Sequence, residues 1–288
     1  MLSRSACRIS YRVTGPDLGP ALLFSDGLLC EGHVWKYMIP ALREDYRCIH
    51  WNYPGHGRSG EPSALDDLSP EQLADDAAAV LAAAEAPAVV AVGHSLGVQV
   101  ALELWRRHPE RVRALVLVCG SPGKLIETFR ESALLGYALP LLDAATRFLP
   151  RQVNAVWRRL PFEASLRFAL LTREVNPRLI HNADLAEYLG RLARVDFRVA
   201  LRMLASAGRH DATGYLGEVR VPTLVVAGED DRFTPPERSR LLADSIPGAR
   251  LLLVRGGTHS LPIEMPDLVN LTVRRFLERD SSGPPTTS

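Results

Sequence analysis

The 288-residue chain is poor in cysteine: it has four, and no C-x-x-C or Cys/His spacing suited to a metal. Cys7, Cys30, Cys48 and Cys119 lie at wide, irregular intervals in the first half. That pattern predicts free thiols in a reducing compartment, and so a cytoplasmic protein. No stretch approaches the roughly 20 uncharged apolar residues that a membrane helix needs. The opening Met-Leu-Ser-Arg-Ser-Ala-Cys-Arg lacks an apolar run of signal-peptide length. An excess of charge is missing too. With 34 Lys and Arg against 33 Asp and Glu the net charge is +1, which favours neither nucleic acid nor an anionic membrane as partner. No repeat of solenoid period is present.

What is there is ordinary globular composition, 47% hydrophobic and 23% charged, on a chain long enough to bury a large core. Short apolar runs alternate with helix-like segments, so the fold class expected is α/β, a mainly parallel sheet covered by helices. Strands are predicted at 7–13, 21–25, 46–52, 88–92, 113–119, 223–227 and 250–254. Helices are predicted at 34–43, 69–85, 96–107, 236–245 and 266–279. Ser69-Pro70-Glu71-Gln72 is a helix start, with Ser69 as cap, Pro70 at the first helical position and Gln72 able to complete a capping box. Between 121 and 217 strand-like runs vanish, and segments rich in Leu, Ala and Arg read as a helical insertion within one α/β domain. The last nine residues, 280–288, read as a disordered tail.

Gly93-His94-Ser95-Leu96-Gly97 matches G-x-S-x-G. The pattern alone is common, but here it follows an apolar strand and opens a helix, as a nucleophile elbow requires. A serine hydroxyl is a weak nucleophile near neutral pH and needs a base. Of eight histidines, His259 stands out. It follows strand 250–254 and Gly256-Gly257 and precedes the last helix, which puts it at the strand edge where Ser95 lies. His94 sits in the elbow, with its side chain expected to point away from that of Ser95. His33 opens a helix near the first Gly-rich turn and is a candidate for the pocket wall. An orienting carboxylate comes from the loop after strand 223–227, where Asp231 is the candidate, Asp230 its competitor and Glu229 a third. No carboxylate follows strand 113–119 before Glu127. Two backbone N–H groups, from Leu96 and from Leu28 in the turn after strand 21–25, are the expected oxyanion donors.

Taken together, these residues resemble the α/β-hydrolase superfamily, and within it the esterases, cofactor-free haloperoxidase-type enzymes and carbon–carbon bond hydrolases. The resemblance runs from Tyr11 to Leu277 except across the insertion. It rests on Asn52-Tyr53-Pro54-Gly55-His56-Gly57-Arg58-Ser59, Gly93-His94-Ser95-Leu96-Gly97, His108-Pro109-Glu110-Arg111-Val112, the segment 228–235 and Gly257-Thr258-His259. The order Ser, Asp, His along the chain is that of this superfamily. The resemblance implies an eight-stranded, mostly parallel sheet, residues 1–120 and 218–279 as the core domain, and 121–217 as a helical cap. One departure is Asp26-Gly27 where many relatives carry His-Gly. Ser95 at the nucleophile position speaks against the aspartate chemistry of haloalkane dehalogenases and epoxide hydrolases. The expectation is a serine hydrolase acting on a small or medium hydrophobic ester, with thioester or carbon–carbon bond cleavage as alternatives and a non-catalytic ligand receptor as a further one. No cofactor and no metal are expected. Leu134, Leu135, Tyr137, Leu139, Leu141 and Leu142 could line an acyl pocket. Arg158, Arg159, Arg191, Arg194, Arg198 and Arg202 read first as a solvated helix face, and otherwise as a surface for an acidic acyl carrier or a substrate carboxylate.

Overall fold

The structure, a computed structural model, describes residues 7–65, 68–123, 141–142, 144–159, 162–192 and 194–280. Seven strands form one sheet: β1 (Tyr11–Thr14), β2 (Ala21–Ser25), β3 (Arg47–Trp51), β4 (Val89–His94), β5 (Val112–Val118), β6 (Thr223–Gly228) and β7 (Arg250–Val254). Their order is β1-β3-β2-β4-β5-β6-β7. β1 runs antiparallel to β3 and every other pairing is parallel. The apolar runs that suggested strands covered on both faces are buried throughout: every residue of β2, β4 and β6 is buried.

Strand alternation divides the core in two. Leu23, Ile49, Ala91, Leu115 and Val225 face one way, against α2 (Pro70–Ala83), α3 (Leu96–Arg107) and α8 (Pro236–Ser245). Leu22, Phe24, Cys48, Val90, Val116 and Val226 face the other, against α1 (Met38–Leu42) and α10 (Pro266–Asp280). The Ser69 hydroxyl accepts the Gln72 amide at 3.3 Å, so α2 begins at the expected cap.

Two expectations differ from what is found. Among the described residues the sheet has seven strands and not the eight that the resemblance implies, and the predicted strand 7–13 is shortened to β1, with the residues before it bonded to the loop beyond β3. Asn52 N donates to the Ser10 carbonyl at 2.9 Å and Gly60 N to that of Arg8 at 2.8 Å. The single helix predicted at 34–43 is a 3-10 turn, His33–Trp35, followed by the five-residue α1. Pro40 has no amide to give, so it is accommodated only in the first turn of a helix that starts anew at Met38.

Between β5 and β6 the described residues contribute helices: α4 (Pro150–Trp157), α5 (Phe162–Leu171), α6 (Asn182–Leu192) and α7 (Phe197–Arg209), then a 3-10 stretch, Thr213–Glu218. The two ends of this insertion are stitched together. Ala212 N donates to the Pro122 carbonyl at 2.8 Å, and Gly123 and Asp211 form an antiparallel bridge. α7 packs Val199, Met203 and Ala207 into the main core, while Ala169, Val175, Leu185, Tyr188 and Leu189 form a smaller cluster with Ile263. Residues 281–288, most of the expected tail, lie outside the described residues. α9 (Leu261–Glu264) completes the set of helices.

Candidate active site

The parallel strands place their C-terminal ends on one edge, and the topology chooses where on it a site can form. β2 and β4 are neighbours, yet the chain leaves β2 toward β3 and leaves β4 toward β5, in opposite directions along the sheet. A crevice opens at such a switch point. Ser95 stands in it, directly after β4, at φ 53° and ψ −114°, a conformation that non-glycine residues rarely adopt. Its neighbours must be small. A side chain at Gly93 would start 2.1 Å from the Gly97 carbonyl oxygen, and one at Gly97 would start 2.1 Å from that of Ser25. The turn after β2 closes on the same residue: a Cβ at Gly27 would lie 3.2 Å from Ser95 Cβ. Leu28 follows in that turn, and Leu96 opens α3, where first-turn amides have no helical acceptor.

His259 and Asp231 meet beside this elbow. His259 Nδ1 lies 2.9 Å from Asp231 Oδ2, with the imidazole and the carboxylate both buried. The carboxylate is fixed from several sides. Its Oδ1 accepts the amides of Phe233 and Thr234, each at 2.8 Å. The Thr234 hydroxyl lies 2.7 Å from Oδ2 and 2.8 Å from the Cys119 carbonyl. Asp230, the competing acid, points outward and pairs with Arg173 at 3.3 Å, and Glu229 is exposed. Burial alone would hold the His259 ring below its usual pKa; the charge and hydrogen bond of Asp231, with Glu174 and Glu264 nearby, outweigh it and raise the pKa.

His94 does more than fill the elbow. Its Nε2 lies 2.9 Å from the His259 carbonyl, and the two rings are 4.9 Å apart, so it links the serine turn to the histidine loop. Burial, then the neighbouring His259, lowers its pKa to about 3. The neutral ring therefore donates that bond. Other supports come from residues that no motif marks. The Glu174 carbonyl accepts from Ser260 N at 3.0 Å and from the Thr258 hydroxyl at 3.1 Å. Glu264 accepts the Thr258 amide at 2.8 Å. Tyr188 donates its hydroxyl to the Glu174 carboxylate. His33 is buried 6.0 Å from the Tyr188 ring and stacked on it. At the variant turn, Asp26 Oδ2 accepts the Gly32 amide at 2.8 Å and lies 3.0 Å from His50 Nε2. The signals for Thr234 and Glu264 were present as proximity to Asp231 and His259. That for Glu174, in the insertion, was not.

The four cysteines are buried and form no disulfide. Among the described residues no helix is long and apolar enough to cross a membrane. Glu71, Glu103 and His210 bring possible ligand atoms within 4.8 Å of one another, away from the elbow. Glu103 Oε1 there lies 2.9 Å from His210 Nε2 and accepts the Tyr215 hydroxyl at 2.7 Å, an internally bonded network at the root of the insertion. Of the insertion's arginines, Arg191 bonds Glu187 at 2.6 Å and Arg198 bonds Asp196 at 2.9 Å. Arg158, Arg159 and Arg198 line an open cleft of about 580 Å³. Leu134, Leu135, Tyr137 and Leu139 lie outside the described residues, and Leu141 and Leu142 are exposed.

A family model described as alpha/beta hydrolase fold matches residues 20–266. The chain belongs to the α/β-hydrolase fold family. It is 31% identical over 275 residues to a protein of Azorhizobium caulinodans named carbamate hydrolase RutD, covering 90% of this chain and 91% of that one. It is 30% identical to the pimeloyl-[acyl-carrier protein] methyl ester esterase of Neisseria meningitidis, over 94% of this chain and 81% of the relative. An esterase of Exiguobacterium antarcticum has the same fold, with TM-score 0.78 and 17% identity over 96% of this chain and 98% of that one. Family and fold together make this α/β-hydrolase a hydrolytic enzyme.

Proposed function

We propose that this α/β-hydrolase cleaves a carboxylic ester of a small or medium hydrophobic acyl group through an acyl-enzyme on Ser95. His259 takes the serine proton as the hydroxyl attacks the carbonyl. Asp231 holds the imidazole tautomer and stabilises its cation. The amides of Leu28 and Leu96 receive the oxyanion. The leaving group takes its proton from His259, and water then releases the acid by the reverse route. Residues 121–217 act as a cap that bounds the acyl pocket.

The observation that carries this reading is the buried His259–Asp231 pair at 2.9 Å, beside a serine held at positive φ on the same sheet edge. A serine serves a hydrolase poorly without such a base, and a structural turn has no use for a buried charged pair. Carbamate cleavage is a second reading, favoured by the name of the Azorhizobium relative and served by the same three side chains. The arginine-lined cleft and the name of the Neisseria relative support an acyl-carrier-borne substrate as a variant of the ester reading.

The test is to incubate the protein with a fluorophosphonate and locate the adduct by peptide mass spectrometry, then to assay p-nitrophenyl esters. Labelling at Ser95 and turnover that vanishes in Ser95→Ala and His259→Ala is the expected result. Full turnover in Ser95→Ala would refute the assignment.

A further inference from the structure

One face of α6 meets the segment that follows β2. Asp184, Glu187, Tyr188 and Arg191 are spaced three and four residues apart, so they project from the same side of the helix. Asp184 Oδ1 accepts from Lys36 Nζ at 2.8 Å, and its Oδ2 from the Tyr37 hydroxyl at 2.7 Å. Glu187 Oε2 accepts from Lys36 Nζ at 2.8 Å, and its Oε1 from Arg191 at 2.6 Å. Tyr188 stacks on His33. Arg191 reaches closest to β2 along the chain. Its Nη1 donates to the Glu31 carbonyl at 3.1 Å and lies 3.9 Å from the Glu31 carboxylate.

The Glu31 carbonyl belongs to a strained turn. Leu29 and Glu31 have φ of 67° and 44°, a region that residues with a side chain rarely adopt. Such conformations persist only where surrounding contacts over-determine them. The core domain supplies several. Asp26 Oδ2 accepts the Gly32 amide at 2.8 Å, the Gly27 carbonyl accepts the Cys30 amide at 3.3 Å, and Glu31 Oε1 accepts the Gly57 amide at 3.1 Å. Among the described residues, the one hydrogen bond that enters residues 26–32 from the insertion is that of Arg191. The turn starts at Gly27, which is packed on Ser95, and continues with Leu28. Among the described residues the Leu28 amide has no acceptor, so it is free to serve a substrate oxygen. A guanidinium suits the task at Glu31, because its planar fork holds a carbonyl and the Glu187 carboxylate at once.

We propose that Arg191 is a positioning residue for the oxyanion side of the site. It pins the Glu31 carbonyl and so keeps the strained turn in the form that presents the Leu28 amide beside Ser95. The insertion thereby takes part in transition-state binding through the turn, with no contact between Arg191 and the substrate. The inference rests on the acyl-enzyme reading above and adds a residue to it.

The experiment measures kcat and KM on p-nitrophenyl butyrate, and the Ki of butylboronic acid, for the wild type, Arg191→Met, Arg191→Lys and Tyr215→Phe. Boron takes the Ser95 oxygen, whose proton passes to His259, and becomes a tetrahedral anion. Ki therefore reads the oxyanion site, whereas KM reads ground-state binding. Arg191→Met is expected to lower kcat about tenfold, less than the loss of a whole oxyanion donor, and to raise Ki in proportion. Its KM is expected to stay within about threefold. Arg191→Lys keeps the charge but not the fork, and a fall in kcat of about threefold is expected; it carries the test if Arg191→Met does not fold. Tyr215→Phe removes a bond at the root of the insertion, away from the turn, and shows what a loosened insertion does by itself. It is expected to lower the urea midpoint and to leave kcat within about twofold. An unchanged kcat in the Arg191 variants that fold, a rise in KM in place of the fall in kcat, or an equal fall in Tyr215→Phe overturns the inference, while Ser95-dependent turnover leaves the ester reading standing. Absence of turnover in the wild type refutes that reading, and the inference with it.

Discussion

At the scale of residues, Asp231 shows how a carboxylate is fixed and aimed. Two amides and a hydroxyl leave it one remaining task, to face His259 Nδ1. Asp231→Asn presents an amide where an acceptor is needed and turns the imidazole to the wrong tautomer. Its kcat on a p-nitrophenyl ester is expected to fall by roughly two to four orders of magnitude, and Asp230→Asn is expected to stay within about twofold. The raised His259 pKa fixes the sign of the pH dependence. In the acyl-enzyme mechanism proposed above, the ring below that value carries a proton and cannot accept one from Ser95, so kcat/KM is expected to rise with pH through it. Asp231→Asn removes the main influence holding that pKa up and moves the acid limb to lower pH, as a pH–rate profile will read. Thr234→Val keeps the shape but deletes a hydroxyl from the carboxylate. A roughly tenfold lower kcat, with KM nearly unchanged, is the expected outcome.

At the scale of elements, sequence and structure agree where one local cause is sufficient. Buried parallel strands are short apolar runs, and α2, α3 and α8 begin at a cap, an elbow and a proline that the residues themselves announce. Ser95, Asp231 and His259 could be placed on one edge because each follows a strand that reads clearly. Agreement stops where tertiary contact decides. Residues 7–10 look like a strand, yet they are spent on the loop beyond β3. Glu174 had no readable place, because nothing local says that a turn in a helical insertion will reach the histidine loop. His94 was read as pointing away from the serine, which leaves its bond to His259 unseen. The elbow itself gives a stability test. Gly97→Ala sets a methyl 2.1 Å from the Ser25 oxygen, main chain against main chain, and neither partner has a rotamer to change. A loss on the order of 3 kcal/mol in urea unfolding is expected, at the upper end for overpacking.

At the scale of the whole molecule, burial of ionisable groups ties stability to pH. His94 stays neutral in the folded protein down to about 3, whereas the unfolded chain titrates near the ordinary histidine value of 6.5. Below that value the unfolded state takes up a proton that the folded state refuses. The His94 contribution is therefore present above about 6.5 and is lost as pH falls from there toward 3. His259, raised in the fold, works in the opposite sense, so the effect of His94 is read as a difference between proteins. The urea midpoint of His94→Gln is expected to fall less than that of the wild type between pH 7 and pH 5. An equal fall in both would show that another group governs the acid side.

The stitch between Gly123 and Asp211 has a consequence for descent. Because the long excursion departs and returns at one bonded point, the sheet experiences it as a hairpin, whatever its length or sequence. Such a cassette can be exchanged, lengthened or rebuilt without altering a single strand pairing. Glu174 marks the limit of that freedom, since its carbonyl holds the loop at Thr258 and Ser260 and any replacement must supply the same acceptor.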